Sequence, residues 1–293
     1  MNNSKPALKS DYKYCQSVIK KYSKSFYYAF STLPEDDARA VYAVYTFCRM
    51  ADDAIDEADS TDEALKNLDE LRAELDEFCK GKTPDTPMWR ALNDVRNRYD
   101  LDTSMMYTQI DGQESDVHFR QPENFDELFE YSRKVAGSVG RLLLPIISED
   151  TTQKRQENAE NLGIAMQITN ILRDVGEDID MHNRVYIPSS VLNRFEYSHE
   201  QLKSGELNDA FINAWEHLAG EAETLYDGFH NEIIHYKNEA RMPLLLSLCV
   251  YREILEEVRN NAYDCFSRRN FVSVKRKTEI KNEVIKNLKT LEN

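Results

Sequence analysis

Carboxylates, amides and arginines recur at helical spacing in two separate stretches of this 293-residue chain. Over residues 167–178 (QITNILRDVGED), a helical pitch brings Gln167, Asn170, Asp174 and Asp178 into an arc of roughly 80°. The neighbours Leu162, Ile164, Ala165, Met166, Ile168, Ile171 and Leu172 are apolar, which predicts a helix buried on most sides that carries carboxylates inward. Buried carboxylates require cations. Oxygen donors one helical turn apart suit hard divalent ions, above all magnesium bridging to phosphate. Arg173, beside Asp174, offers a planar fork for phosphate oxygens.

Upstream, Tyr45, Arg49, Asp52 and Asp56 fall within roughly 60° on one helix face, with Asp53 directed to the side. Val41 and Cys48 share that face, so it too is apolar and carries acids. A lone D-D-x-x-D run is ordinarily a solvated helix surface; a second cluster of the same kind reverses that reading. A third stretch, Tyr22-Ser23-Lys24-Ser25, interrupts the helical pattern of 11–30 just before Phe26, Tyr27, Tyr28 and Phe30. Its hydroxyls and ammonium could hold phosphate, although a helix end capped by Ser23 or Ser25 is the plainer account.

These groups need long helices to position them, and the composition supplies them. Only 9 Gly and 8 Pro with 30% charged residues favour an all-α fold, and without a clean linker we expect one domain over 1–293. Leu33-Pro34-Glu35-Asp36 signals a helix start, with the helix running to about Ala58. Residues 62–80 read as an amphipathic helix and 80–87 (KGKTPDTP) as a loop. Residues 107–116 (YTQIDGQESD) fit a frayed helix end or a site wall equally well. Over 125–145, Gly137 and Gly140 are one turn apart and suit close helix packing, with approach to a ligand the alternative. Residues 180–190 form a loop carrying Arg184 and Tyr186, and 193–208 are polar and peripheral. Two further helices cover 208–236 and 241–266, the second bearing Tyr251 among apolar neighbours. The tail, 268–289, is basic; a solvated terminal helix is expected there, with attraction to a membrane surface as the alternative.

A formal net charge of -15 argues against nucleic acid as a partner. Five widely spaced cysteines without a CxxC or Cys/His pattern read as reduced packing residues. The N-terminal residues lack the apolar core of a signal peptide, and no apolar run approaches the ~18 residues of a membrane span, so a cytoplasmic protein is expected. Other metal sites fit poorly. A calcium loop from Asp174 would place Ile179 and Val185 where Gly and Glu are needed. Glu196/His199 and Glu232/His235 have di-iron spacing, but Ser198-His199-Glu200-Gln201 looks like a helix start that separates the first pair.

Taken together, Ser23-Lys24-Ser25-Phe26, CRMADDAID (48–56), VAGSVG (135–140) and QITNILRDVGED (167–178) resemble the squalene/phytoene synthase family, in the family's order and over almost the whole chain. Within it the chain is most similar to the bacterial dehydrosqualene (4,4'-diapophytoene) synthases, a likeness carried by YCQSVIKKYSKSFYYAF (14–30) and YREILEEVRNNAY (251–263). The resemblance implies an isoprenoid-synthase helical bundle around a central cavity, with two facing aspartate-rich helices and three magnesium ions. It implies that Asp52, Asp56, Asn170, Asp174 and Asp178 hold the metal. It assigns the diphosphates and first isoprenoid units to Arg49, Arg173, Gln167, Tyr45, Tyr251 and Tyr22 to Ser25, with Tyr22 standing where related enzymes often carry histidine. The expected reaction is head-to-head condensation of two farnesyl diphosphates, without a nicotinamide. A phytoene synthase using geranylgeranyl diphosphate, an inactive helical scaffold and a di-iron bundle are the alternatives, and a transient membrane contact for product release is a further expectation.

Overall fold

The computed structural model describes residues 4–291 and contains helices joined by short connections, with no strand among the described residues. Residues 1–3, which begin the stretch read above for a leader, lie outside the described residues, as do 292–293. In chain order the helices are α1 (Ser4–Tyr22), α2 (Lys24–Phe30), α3 (Glu35–Asp56), α4 (Thr61–Cys79), α5 (Pro87–Arg98), α6 (Ser104–Val117), α7 (Phe125–Ser132) and, after a π-helical turn at Arg133–Gly137, α8 (Ser138–Ile147). The second half holds α9 (Gln153–Arg173), α10 (Val175–His182), α11 (Ser189–Arg194), α12 (His199–Ser204), α13 (Asp209–Asn231), α14 (Asn238–Asn260) and α15 (Val274–Leu291).

Two helices organise the rest. α3 starts where the sequence signals it, after Pro34 with Glu35, Asp36 and Asp37 in the first turn, where acids complement the exposed N–H groups. It packs against α1, α4, α5, α6 and α8. α9 is covered by α8, the π turn, α13 and α14. Its central residues, from Ile164 to Met166 and from Ile168 to Leu172 apart from Asn170, are buried as the apolar pattern predicts.

The glycines of 137–140 pack closely, as expected. A Cβ on Gly140 would stand 2.2 Å from the Ala159 carbonyl oxygen of α9. Reciprocally, a Cβ on Gly163 of α9 would stand 2.2 Å from the Ala136 carbonyl oxygen in the π turn. Neither position has room for a side chain, so α8 and α9 meet backbone to backbone. Both segments also line the central cavity.

Two expectations need correction. The 167–178 stretch is not one continuous helix: α9 ends at Arg173, Asp174 has φ -108 and ψ 20, and α10 starts at Val175. The break is held from a distance, because the Gly176 N–H donates to the Cys265 carbonyl at 3.0 Å and its Cα faces the Phe266 backbone, leaving no space for a Cβ. The basic tail is not merely solvated either. α15 lies on α14, burying Ile280 and Val284, and Arg276 bridges to Glu253 at 2.6 Å.

Candidate active site

A cavity of about 560 Å³ opens between α3 and α9. Of the residues singled out from the sequence, Ser23, Tyr45, Arg49, Asp52, Asp56, Gln167, Asn170, Arg173, Asp174, Asp178 and Tyr251 line it. Tyr22, Lys24 and Ser25 do not. Tyr22 instead lays its ring against Arg49, with the guanidinium carbon 4.4 Å from the ring centroid. Ser23 caps α2, accepting from the Phe26 N–H at 3.4 Å, so the plainer account of this stretch holds for that residue. Ser25 Oγ accepts from Lys277 Nζ of α15 at 2.9 Å, an interaction that no local sequence signal announces.

On the α3 wall, Arg49 pairs with Asp52 at 2.6 Å and also with Asp53. Asp53 stays off the cavity, as its angular position predicts, yet it fixes the arginine that lines it. Gln113 of α6 donates to the other oxygen of Asp52 at 3.2 Å. Burial, then the neighbouring Asp56, pushes the Asp52 carboxyl up to about 6, against the pull of Arg49. On the facing wall, Arg173 donates to Asp174 through Nε at 2.7 Å. Asp178, one turn on, is pushed up to about 8 by burial and by Asp174 and Glu177.

A third wall comes from α6, α7 and the loop after α10. Asp116, 8% exposed, accepts from the hydroxyls of Tyr131 and Tyr186 at 2.9 Å each, and Arg184 stands 3.7 Å away. The rings of Tyr131 and Tyr186 stack with centroids 5.0 Å apart. Of the two readings open for 107–116, site wall is the one realised, since Gln109, Gln113 and Asp116 all face the cavity.

Arg269 completes the polar end and was missed in the sequence, where it belonged to the basic tail. It reaches Asp174 and Glu177 at 3.3 Å each. Its position depends on the loop after α14, in which Ala262 and Tyr263 adopt left-handed φ of 55° and 61° and Asp264 accepts from the N–H groups of Phe266 and Ser267. Nothing local in the sequence marks that turn, because neither residue is glycine or asparagine.

Most of the remaining lining is apolar and includes Phe26, Phe30, Val139, Leu143, Leu162 and Leu244, with His182 and Ser247 as polar exceptions. Phe26 and Phe30 have centroids 4.4 Å apart, and Phe26 lies 6.1 Å from Tyr45. The cavity is thus charged at one end and greasy elsewhere, which suits an amphiphile with an anionic head.

Among the described residues, no three His, Cys, Asp or Glu side chains form a closed metal cage. The donor chemistry nevertheless fits hard cations: acids from two helices face one cavity, and burial, then crowding by like charge, lifts Asp52 and Asp178 well above ordinary carboxyls. The di-iron alternative is poorly served. Glu232 is engaged by Lys154 at 2.9 Å and Arg155 at 3.1 Å, while Ser198 forms a capping box that leaves Glu196 outside α12.

Known proteins share this chain's fold and much of its sequence. The squalene/phytoene synthase family profile matches residues 19–276. A 4,4'-diapophytoene synthase of Staphylococcus haemolyticus is 37% identical, covering 89% of this chain and 92% of its own. A 15-cis-phytoene synthase of Synechococcus elongatus is 32% identical, over 92% and 91%. A crystal structure of a dehydrosqualene synthase in complex with ligand superposes with a TM-score of 0.93 at 40% identity, covering 98% of this chain and all of the other. The all-α isoprenoid-synthase fold expected from the sequence is the fold observed.

Proposed function

Because this chain belongs to the squalene/phytoene synthase family, we propose that it is a prenyltransferase that joins two farnesyl diphosphates head to head to give dehydrosqualene (4,4'-diapophytoene), a C30 carotenoid precursor. The observation that carries the reading is a single cavity in which two acid-and-arginine clusters meet an apolar tunnel. In this proposal the whole chain, 1–293, works as one domain in the cytoplasm, with transient contact at a membrane surface.

Asp52, Asp56, Asn170, Asp174 and Asp178 are the residues that would hold divalent metal, taken here as three magnesium ions. When bound, these ions supply positive charge opposite the departing diphosphates. Arg49, Arg173, Gln167, Tyr45, Tyr251 and Ser23, which line the cavity, bind the diphosphates and the first isoprenoid units. Tyr22 acts on Arg49 through its ring. Arg269 adds positive charge at the same end.

The chemistry starts when the C1–O bond of one substrate breaks and its electron pair leaves with diphosphate. The C2–C3 double bond of the second substrate then attacks that carbon, and loss of a proton closes a cyclopropylcarbinyl diphosphate of the presqualene type. Departure of the second diphosphate, ring opening and loss of a second proton leave the triene. Two diphosphates and two protons depart in all, so no reductant is needed. The faces of Phe26, Phe30, Tyr45 and Tyr131 stabilise the cations by about 1–2 kcal/mol each, and the apolar walls exclude water.

A second reading, condensation of two geranylgeranyl diphosphates to phytoene, is favoured by the similarity to the cyanobacterial phytoene synthase. The Phe26–Phe30 pair favours the shorter chain. Five more carbons in an open tunnel would gain about 0.8 kcal/mol per buried methylene, so exclusion needs a steric stop. Competing the two substrates at equal concentration, with magnesium and with or without NADPH, should give a C30 triene as the main product. A dominant C40 hydrocarbon would establish the second reading, and absence of magnesium-dependent diphosphate release would leave a scaffold. Phe30→Ala should move the product mixture towards C40. Retained activity with unchanged chain length would put the size filter elsewhere.

A further inference from the structure

Burial alternates along the segment that joins α14 to α15. Asn270 and Val272 are buried, whereas Phe271 is 74% and Val274 83% exposed. The outward residues are held in place by their neighbours. Asn270 donates to the Asp264 carbonyl at 2.8 Å and accepts from Asn261 Nδ2 at 2.7 Å. Val272 belongs to the core, and Ser273 accepts from the Arg276 N–H at 3.1 Å as α15 begins. A phenylalanine and a valine fixed in the outward position are the apolar half of an interaction surface.

The charged half surrounds them. Arg268 is 52% exposed and lies 3.8 Å from Asp264; the Lys275 side chain is 89% exposed, with its nearest acid, Glu279, at 3.9 Å. Across 268–289 eight Arg and Lys stand against two Glu, on a chain whose net charge is -15. An anionic surface would repel most of this protein and attract this segment, which fixes one orientation of approach. The segment also borders the cavity, since Arg269 lines it.

We propose that Phe271 and Val274, flanked by Arg268 and Lys275, dock the protein on the surface of an anionic lipid bilayer. Exposed apolar side chains and basic residues are the two weak signals that together hold a protein at such an interface. The proposal rests on the prenyltransferase reading only for its purpose, which is to bring the cavity to the phase where prenyl chains and a C30 hydrocarbon dissolve.

Flotation of the full chain with phosphatidylcholine vesicles, with and without phosphatidylglycerol, tests it. Wild type should float with the anionic vesicles, and F271S/V274S should float about tenfold less at equal lipid. R268Q/K275Q should lose the preference for phosphatidylglycerol. Trp89 and Trp215 are fully buried, so Phe271→Trp adds an exposed emitter whose fluorescence should shift to the blue with anionic vesicles. Wild type remaining unbound, equal flotation of wild type and F271S/V274S, or an unshifted emission from the F271W variant would each overturn the proposal. So would lipid-independent self-association of wild type that F271S/V274S abolishes, because a second copy would then cover the patch. Diphosphate release from detergent-dispersed substrate should be unchanged in F271S/V274S; its failure in wild type would count against the proposed reaction and not against docking.

Discussion

A carboxylate taken out of water disfavours its own charge, and the acids of this cavity meet that problem in two ways. Asp116 is pushed upward by burial, but Tyr131, Tyr186 and Arg184 oppose the push, and the result is a fixed wall. Asp52 and Asp178 are pushed up by burial and then by neighbouring acids, to about 6 and about 8, and bound cations would favour their charged forms. On the proposed mechanism, Asp52→Asn or Asp174→Asn should therefore cost about 3 kcal/mol of transition-state stabilisation, on the order of a hundredfold in turnover. Circular dichroism should stay unchanged, and near-normal turnover in both variants would remove these residues from the metal set. The acids themselves were legible in the sequence: within α3 one helical pitch fixes their common face, and the break at Asp174 leaves Asn170, Asp174 and Asp178 on the same cavity all the same. Arg269 was not, because it arrives from a segment whose docking, and not its own periodicity, brings it to the site.

Helix starts were legible where local chemistry decides them, as at Pro34 for α3 and Ser198 for α12. The break at Asp174 was not, since the contact that holds it joins Gly176 to Cys265 and Phe266, far along the chain. The contact between α8 and α9 offers a sharper test of close packing. Gly163→Ala drives a Cβ into a backbone carbonyl that cannot rotate away, and should cost about 1–3 kcal/mol by urea denaturation. Gly220→Ala in α13, where nothing lies within 4 Å of the added carbon, should instead stabilise by about 0.4–1 kcal/mol. Equal midpoints for the two variants would mean that the π turn leading into α8 can move off α9 without penalty. Such movement would also widen the cavity wall that Gly140 and Gly163 share.

As a whole, the chain reads correctly from composition: few glycines and prolines, many charges, and an all-helical fold. What composition cannot convey is that the helices enclose space. Where the apolar end of the cavity of about 560 Å³ excludes water, the folded state keeps volume that the unfolded chain does not. Unfolding therefore shrinks the system, and compression favours it, by an amount that grows with the void eliminated. Hydrostatic pressure should consequently destabilise the folded protein in proportion to that dry volume. A prenyl chain occupying the apolar part removes that void, so a bound substrate analogue should raise the midpoint pressure by more than its effect on the urea midpoint alone would account for. Tryptophan fluorescence under pressure, with Trp89 and Trp215 as buried reporters, would read it directly, and an unchanged unfolding volume with the analogue bound would mean that water already fills the tunnel.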